Sequence, residues 1–439
     1  MSVTAAPGDP SQARRLAVWG IAAATYATMI VTRSGPAIAA DQISAAFAIP
    51  AVALGALFGA QYFAYMALQL PSGAFADSVG PRWMLGAGAL LGGLGTLLFA
   101  TTQSYHVAVA GRVMVGVGDA FIYLNALRLI GDWFRPYQYA TWVGLLGVAG
   151  GLGTIFATAP LAIVLTRIGW RTCFTALGAV LIVCSAICML WIRANPADVL
   201  PGRQHRTLRQ ALPSPRRSLG GLLAVARTAG VWPAFAAHAA TVGPSVAFYA
   251  AWGVPLLLHQ YGLNRIGAGT FLLLAGLGGM IGGPLIAYAS DRVGRRRPFV
   301  LACTAASVAG WVSLAFFGGH PPLWLLFVIA AVGSVGASAT VLVFAIAREI
   351  NPRELTGIAS GLINVGGYLC GSILQVVMGH ALDSHWEGAM RDGARIYTAA
   401  GFANAFSLLA ALALIAALVA IRIPETGRAA RRQPVASPA

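Results

Sequence analysis

Three side chains of this 439-residue chain combine charge with an apolar setting, and the most informative chemistry rests on them: Arg33, Arg112 and Asp119. A charge held at bilayer depth costs roughly 2.5–3.5 kcal/mol on insertion scales, so such residues usually face a protein interior or a water-filled cavity. Arg112 and Asp119 are seven positions apart, close to two helical turns, so Arg112, Gly116, Asp119 and Tyr123 share one helix face. The guanidinium of Arg33 or Arg112 offers paired N–H donors to a bound carboxylate, and Asp119 offers a place for a proton. Loading that proton would release Arg112 from Asp119 and free it for an anion, so that proton and anion bind together. The same spacing also fits a permanent structural ion pair between Arg112 and Asp119, with no part in binding an anion or a proton.

The elements that must position these residues are membrane spans. Hydrophobic residues make up 58% of the chain and charged ones 10%, with a mean hydropathy of +0.74. A soluble domain carries about 25% charged residues, so this chain lacks the polar surface to face water on all sides. Its apolar runs are long enough to cross a ~30 Å hydrocarbon core as helices. We expect twelve spans, near 17–40, 50–76, 82–103, 106–131, 138–166, 171–193, 231–258, 264–289, 298–317, 322–347, 356–381 and 397–421. The polar start, MSVTAAPGDPSQARR, does not read as a cleavable leader. Short linkers make sequential helices antiparallel neighbours. The exception is 194–229, rich in Arg, Pro and Ser, whose last part, SLGGLLAVAR, fits a short amphipathic helix at the interface. The expected organisation is a cytoplasmic tail (1–16), a six-helix bundle (17–193), a cytoplasmic linker (194–229), a second bundle (230–422) and a cytoplasmic tail (423–439).

The net charge of +16 comes entirely from arginine, since the chain has no lysine. With the amino terminus inside, only Arg167, Arg171, Arg265, Arg391 and Arg395 fall outside, and Arg33 and Arg112 lie within spans. That asymmetry follows the positive-inside rule. The basic excess therefore orients the chain and touches anionic lipid; it does not point to nucleic acid. The five cysteines sit in or beside apolar segments without metal-ligand spacing, so we expect neither a disulfide nor a metal. No phosphate-cradling motif suggests direct use of ATP, and no cofactor is expected.

The two halves echo each other. GAFADSVGPRWML (Gly73 to Leu85) follows span 2, and AYASDRVGRRRPF (Ala287 to Phe299) follows span 8, with Asp77 matching Asp291 and Gly80 matching Gly294. Duplicated six-helix halves are a recurring transporter plan, with the substrate site between them near the midplane. Gly73 permits close helix approach, Gly80 makes the turn because a residue without Cβ is free to take positive φ, and Asp77 can cap a neighbouring helix start. Arg82 and Asp132 can form a charge network. Asp291 with Arg292, Arg295 and Arg296 is the expected second cytoplasmic latch, with Glu349 part of its network.

Gly73-x-x-x-Asp77-x-x-Gly80-x-Arg82 resembles the cytoplasmic loop signature of the major facilitator superfamily, and Arg112-x-x-x-Gly116-x-Gly118 resembles its span-4 motif. Ser78 and Ala287 depart from that pattern. The resemblance covers nearly the whole chain. It implies an all-α integral membrane protein, twelve transmembrane helices in two pseudo-symmetric six-helix bundles that rock to alternate access. Span 5 carries Gly144, Gly147, Gly150, Gly151 and Gly153 on a small side that lets a partner helix pack closely. It lacks the Gly-Pro pair typical of drug:proton antiporters, Pro160 coming later. A narrower resemblance, carried by Tyr26 through Arg33, GAQYFAYMALQLPSGAFAD and GWRTCF (Gly169 to Phe174), is to sialin-type anion:cation symporters. Those carriers take organic anions such as sugar acids together with protons. The family's span-1 Arg and its span-4 Arg and acid serve substrate and proton, and Arg33, Arg112 and Asp119 match them. Thr32 stands where that family often has Asp, so two-carboxylate coupling does not carry over.

In the second half, span 7 offers His238, Thr241, Ser245, Tyr249 and Trp252, with Gly243-Pro244 to bend it. Tyr249 and Trp252 suit substrate contact or aromatic core packing equally. His238 is a candidate proton relay. Ser334 and Ser338 (span 10) and Asn364 and Gln375 (span 11) add polar groups, with Asn364 the candidate ligand; span 2 adds Gln61, Tyr62 and Tyr65. The preferred expectation is a monomeric inner-membrane carrier that imports a small organic anion with protons. Efflux of drugs or metabolites, and uptake of amino acids or siderophores, are the alternatives; a transport-like sensor or membrane enzyme is a distant one.

Overall fold

In lipid every backbone N–H and C=O needs an internal partner, which leaves the α-helix as the solution for long apolar runs. The structure, a computed structural model, describes residues 12–192 and 215–428, apart from the side chains at 70, 73–79, 136, 140 and 215–218. Among these residues eleven helices are long and apolar enough to cross a membrane, and a helix pair bent by 45° makes a twelfth crossing. The first half holds span 1 (Gln12–Phe47), span 2 (Ala51–Val79), span 3 (Pro81–Thr101) and span 4 (Tyr105–Trp133). Span 5 (Tyr139–Phe156 with Ala159–Ile168) and span 6 (Trp170–Trp191) complete it. The second half holds span 7 (Val231–Gln260), span 8 (Arg265–Val293), span 9 (Arg297–Phe316), span 10 (Leu323–Ile350), span 11 (Thr356–Ser384) and span 12 (Ala399–Ala420). Large apolar side chains such as Leu190, Phe316 and Trp324 stand exposed on the outside, as a lipid-facing wall requires.

Spans 1, 2, 4, 8, 10 and 11 run longer than their expected windows, spans 3, 6 and 12 fall slightly short of theirs, and four spans are interrupted. Span 1 tightens into a 3-10 segment at Gly35–Ala39. Pro36 explains the break: it has no N–H to give to the carbonyl of Thr32, four residues back. Span 5 breaks at Ala157–Thr158, just before Pro160 opens its second segment. Span 7 contains Pro244 and then a π-turn over Phe248–Trp252. Span 10 is split between Ala337 and Thr340. A short helix, Pro215–Ala226, packs against the start of span 11, where a side chain on Gly221 would meet Ile358.

Both ends of the described chain, the segment before span 7 and the turns after spans 2 and 8 lie at one end of the bundle, here called the inner end. Gly80 takes φ +89° and Gly294 φ +74°, so the matching turns of the two halves both use positive φ. The outer end carries the long loop after span 11, with a small hairpin of β1 (Met390–Arg391) against β2 (Ala394–Arg395). Of the span-5 glycines, three make close contacts: Gly150 against Tyr26, Gly153 against the Ala27 backbone and Gly151 against Met280. Gly144 and Gly147 face open space. Most of the linker 194–229, the first eleven residues and the tail beyond 428 lie outside the described residues.

Candidate functional site

The charged centre forms where span 1 breaks. The two orphan carbonyls at the break, Thr32 and Arg33, receive Nη1 and Nη2 of Arg112 from span 4 at 3.0 and 3.1 Å. Arg112 is 1% exposed, with its guanidinium 5.4 Å from the Phe99 ring centre. Its two terminal nitrogens thus serve the Thr32 carbonyl that Pro36 leaves without a donor and the Arg33 carbonyl beside it. Asp119 pairs instead with Arg33, whose Nη1 donates to Oδ2 at 3.1 Å. This corrects the expected Arg112–Asp119 pairing. Two helical turns put both residues on one face, but the broken span 1 brings Arg33 to the carboxylate and ties Arg112 to the backbone. The Arg33 side chain retains 17% exposure while Asp119 retains 2%, so Arg33 is the more accessible partner.

Aromatic rings continue the site across the molecule. Arg33 stands 5.9 Å over the Tyr65 ring. Tyr368 of span 11 lies edge-on to Tyr65, with centroids 5.0 Å apart, and stacks on Tyr62 at 5.9 Å and 12°. Span 2 of the first half and span 11 of the second therefore meet beside the ion pair. Tyr368 leads on to His238, edge-to-face at 6.5 Å. His238 is 1% exposed; its Nδ1 is 3.3 Å from Oγ1 of Thr340, the first residue of the second segment of span 10. Asn364, one turn before Tyr368, approaches the same ring, but no well-formed hydrogen bond reaches Nε2. Sequence reasoning missed Tyr368. The available signal was its place one turn from Asn364 on the same face of span 11.

Other expected ligands sit elsewhere. Trp252 is 0% exposed and its indole N–H donates to the Gln375 carbonyl at 3.0 Å, which makes it a helix-packing residue. The π-turn swings its ring toward span 11. Tyr249 turns inside the second half, its hydroxyl 3.4 Å from the Ala330 carbonyl, in a small cleft with Phe271 and Trp311. Gln375 gives its amide to the Val246 carbonyl at 3.4 Å. Gln61 is fully buried at the seam of spans 2 and 4, where a side chain on Gly116 would come within 2.2 Å of the Gln61 carbonyl.

At the inner end the second latch centres on Arg296 rather than Arg295. Arg296 reaches Asp291 at 2.7 Å and Glu349 at 3.2 Å, while Arg295 is exposed and uses only its carbonyl, toward Ser290. The Gly294 turn explains the exchange, since it folds the chain back so that the second residue after it, not the first, faces Asp291. Glu425, beyond span 12, accepts the backbone N–H of Arg296 at 2.7 Å and those of Thr426 and Gly427 at 3.0 and 3.1 Å. Burial opposes ionisation of Glu425, yet these backbone donors together hold its carboxyl below the usual range. In the first latch, the side chains of Gly73 and Asp77 lie outside the described residues. Arg82 lies over the Trp83 ring at 4.5 Å, and Asp132 has an interaction partner of its own.

Comparison with known proteins follows the geometry. The sequence model of the Major Facilitator Superfamily matches residues 18–374. Among curated relatives, the D-galactonate transporter of Escherichia coli O6:H1 is 23% identical over 421 residues, spanning 90% of this chain and 92% of its own. The probable galactarate/D-glucarate transporter GudP of Bacillus subtilis is 21% identical over 380 residues, 80% of this chain and 82% of its own. The probable sulfoacetate transporter SauU of Cupriavidus necator is 23% identical over 381 residues, 83% and 87%. Among solved structures, a bacterial homologue of the lysosomal transporter Spinster, inward-facing and unoccupied, superposes with TM-score 0.70 at 16% identity over 94% of this chain and 97% of that one. A D-xylose–proton symporter gives TM-score 0.69 at 15% identity, over 95% and 99%.

Proposed function

The chain belongs to the major facilitator superfamily, a multi-pass membrane transporter and not an enzyme, and from that membership we propose that it imports a small organic anion, a sugar acid or a similar carboxylate, together with a proton. The observation that carries this is the Arg33–Asp119 pair, 3.1 Å long, beside the tyrosines where the halves meet. The relatives named for galactonate, galactarate, glucarate and sulfoacetate, anions all, support the cargo class.

In the proposed cycle Asp119 and the substrate carboxylate compete for one guanidinium. A carboxylate arriving while Asp119 is ionised must displace it and leave it unpaired at 2% exposure, which is costly. A proton on Asp119 removes that conflict and frees Arg33 to grip the anion. Arg33 takes the role first assigned to Arg112. Arg112 keeps a part in the site by holding the span-1 break on which Arg33 sits. Tyr65 and Tyr368 flank the bound carboxylate, and Asn364, Thr340 and His238 supply polar contacts to the far end of the cargo. Arginine concentrated in the loops expected inside supports a reading with both termini in the cytoplasm and the protein in the inner membrane. At the outer end the halves are in contact, Asp383 of span 11 with the N–H groups of Ala51 and Val52 and His259 of span 7 with Asp41. That contact supports an inward-facing reading of this state. One chain holds the whole site, so a monomer suffices.

The test is uptake by purified protein in liposomes, acid outside, across a panel of carboxylates, amino acids and cationic drugs. We expect accumulation of one or more hydroxylated carboxylates that collapses when the pH gradient is dissipated. Movement of cationic drugs with none of the carboxylates would overturn the proposal in favour of efflux.

A further inference from the structure

The start of span 2 lacks a cap of its own. Its N-cap residue is Pro50, which makes no side-chain hydrogen bond, so the first N–H groups of the helix need other partners. They find them in the opposite half. Asp383, next to last in span 11, accepts the N–H of Ala51 on Oδ1 at 2.9 Å and the N–H of Val52 on Oδ2 at 2.8 Å. A carboxylate at a helix N-terminus gains both charge-assisted hydrogen bonds and a favourable dipole. Within its own half Asp383 also accepts Arg395 Nη1 at 3.0 Å, and Arg395 lies 4.1 Å over the Trp386 ring.

Below this cap the two helices touch backbone to backbone. A side chain on Gly379 would come within 2.6 Å of the Ala51 carbonyl, and one on Gly55 within 2.3 Å of the Gln375 carbonyl. A second link between the halves stands nearby. His259 Nε2 of span 7 meets Asp41 Oδ2 of span 1 at 3.2 Å, while His259 Nδ1 accepts the Tyr397 N–H at 3.3 Å. Any motion that parts spans 2 and 11 at the outer end must strip both N–H groups from Asp383.

We propose that Asp383 is the outer-gate residue, a helix cap lent by one half to the other that holds the outer end shut and sets the balance between the two access states. The device rests on the two-bundle fold and not on the identity of the cargo, so it stands or falls apart from the proposed substrate.

The test is a distance measurement by pulsed electron resonance on the full chain in nanodiscs. Spin labels at Ser104 and Glu387, exposed on outer loops of the two halves, replace those residues through cysteine, with Cys184, Cys303 and Cys370 changed to Ala. Asp383→Ala should raise the ratio of long to short distances by about tenfold, and Asp383→Asn, which keeps one acceptor, by less. Arg395→Gln, which leaves the cap intact, should stay near the starting ratio. Gly379→Leu should wedge the gate open without touching the carboxylate, and it decides the matter together with Asp383→Asn if the Ala variant fails to fold. An unchanged distribution in both Asp383 variants, or a shift in Arg395→Gln equal to that of Asp383→Ala, would overturn the proposal.

Discussion

At the residue scale, the two buried arginines look alike in the sequence and have different tasks. Arg112 gives both terminal nitrogens to the carbonyls of Thr32 and Arg33, and its environment is closed. Arg33 gives one nitrogen to Asp119 and keeps a share of its surface open. The expected consequences separate them. Arg112→Gln should lower the yield of folded protein, because it leaves buried carbonyls without donors at a penalty of roughly 1–3 kcal/mol; thermal unfolding in detergent measures that. Arg33→Gln should fold and fail to bind the anion. Asp119→Asn should abolish pH-driven accumulation while substrate exchange across the liposome membrane stays measurable, since a neutral amide no longer competes for Arg33. Undiminished pH-driven uptake by Asp119→Asn would remove that residue from the coupling role.

At the element scale, the halves use proline in the same way. Pro36 in span 1 leaves the Thr32 carbonyl to Arg112 of span 4. Pro244 in span 7 leaves the Ala240 carbonyl, which Ser307 of span 9 approaches with its hydroxyl at 3.4 Å. The span-1 break moves Arg33 off the straight helical course, and in both spans the carbonyl that proline leaves without a donor is met by a side chain from another helix. Restoring the N–H with Pro36→Ala should let span 1 run straight, compete with Arg112 for the Thr32 carbonyl and draw Arg33 away from Asp119. We expect near-normal expression with transport lower by on the order of tenfold, because the charged group is misplaced and not lost. Unchanged transport in that variant would show that the break does not position Arg33. The glycines act at the same scale: Gly116, Gly55 and Gly379 matter because backbones lie against them, whereas Gly144 and Gly147 border open space.

At the scale of the whole molecule, the halves are joined at the outer end by Asp383 and by Asp41–His259, and the inner end has a latch within the second half. Glu425 extends that latch to the end of span 12. Its carboxyl is held below the usual range, so its contribution is present above the ordinary carboxylate pKa and is lost as pH falls through the depressed folded value. Glu425→Gln should therefore lower Tm by about 2 °C at neutral pH, with the difference from the parent chain vanishing in acid; an equal gap at both pH values would contradict this. Much of the architecture was legible in the sequence. Long apolar runs fix the number of crossings, paired loop motifs with Gly80 and Gly294 fix the duplication, and Arg33, Arg112 and Asp119 stand out because charge in an apolar run is expensive. These are local properties, readable from composition and period. Partner choice was not, since a period places residues on a face without saying which helix lies opposite. The pairing of Asp119 with Arg33, the withdrawal of Trp252 into a helix seam, the entry of Tyr368 and the cap that Asp383 lends to span 2 all depend on where helices bend and which ones touch. Those outcomes belong to packing between segments as far apart as 332 residues, and only the tertiary structure decided them.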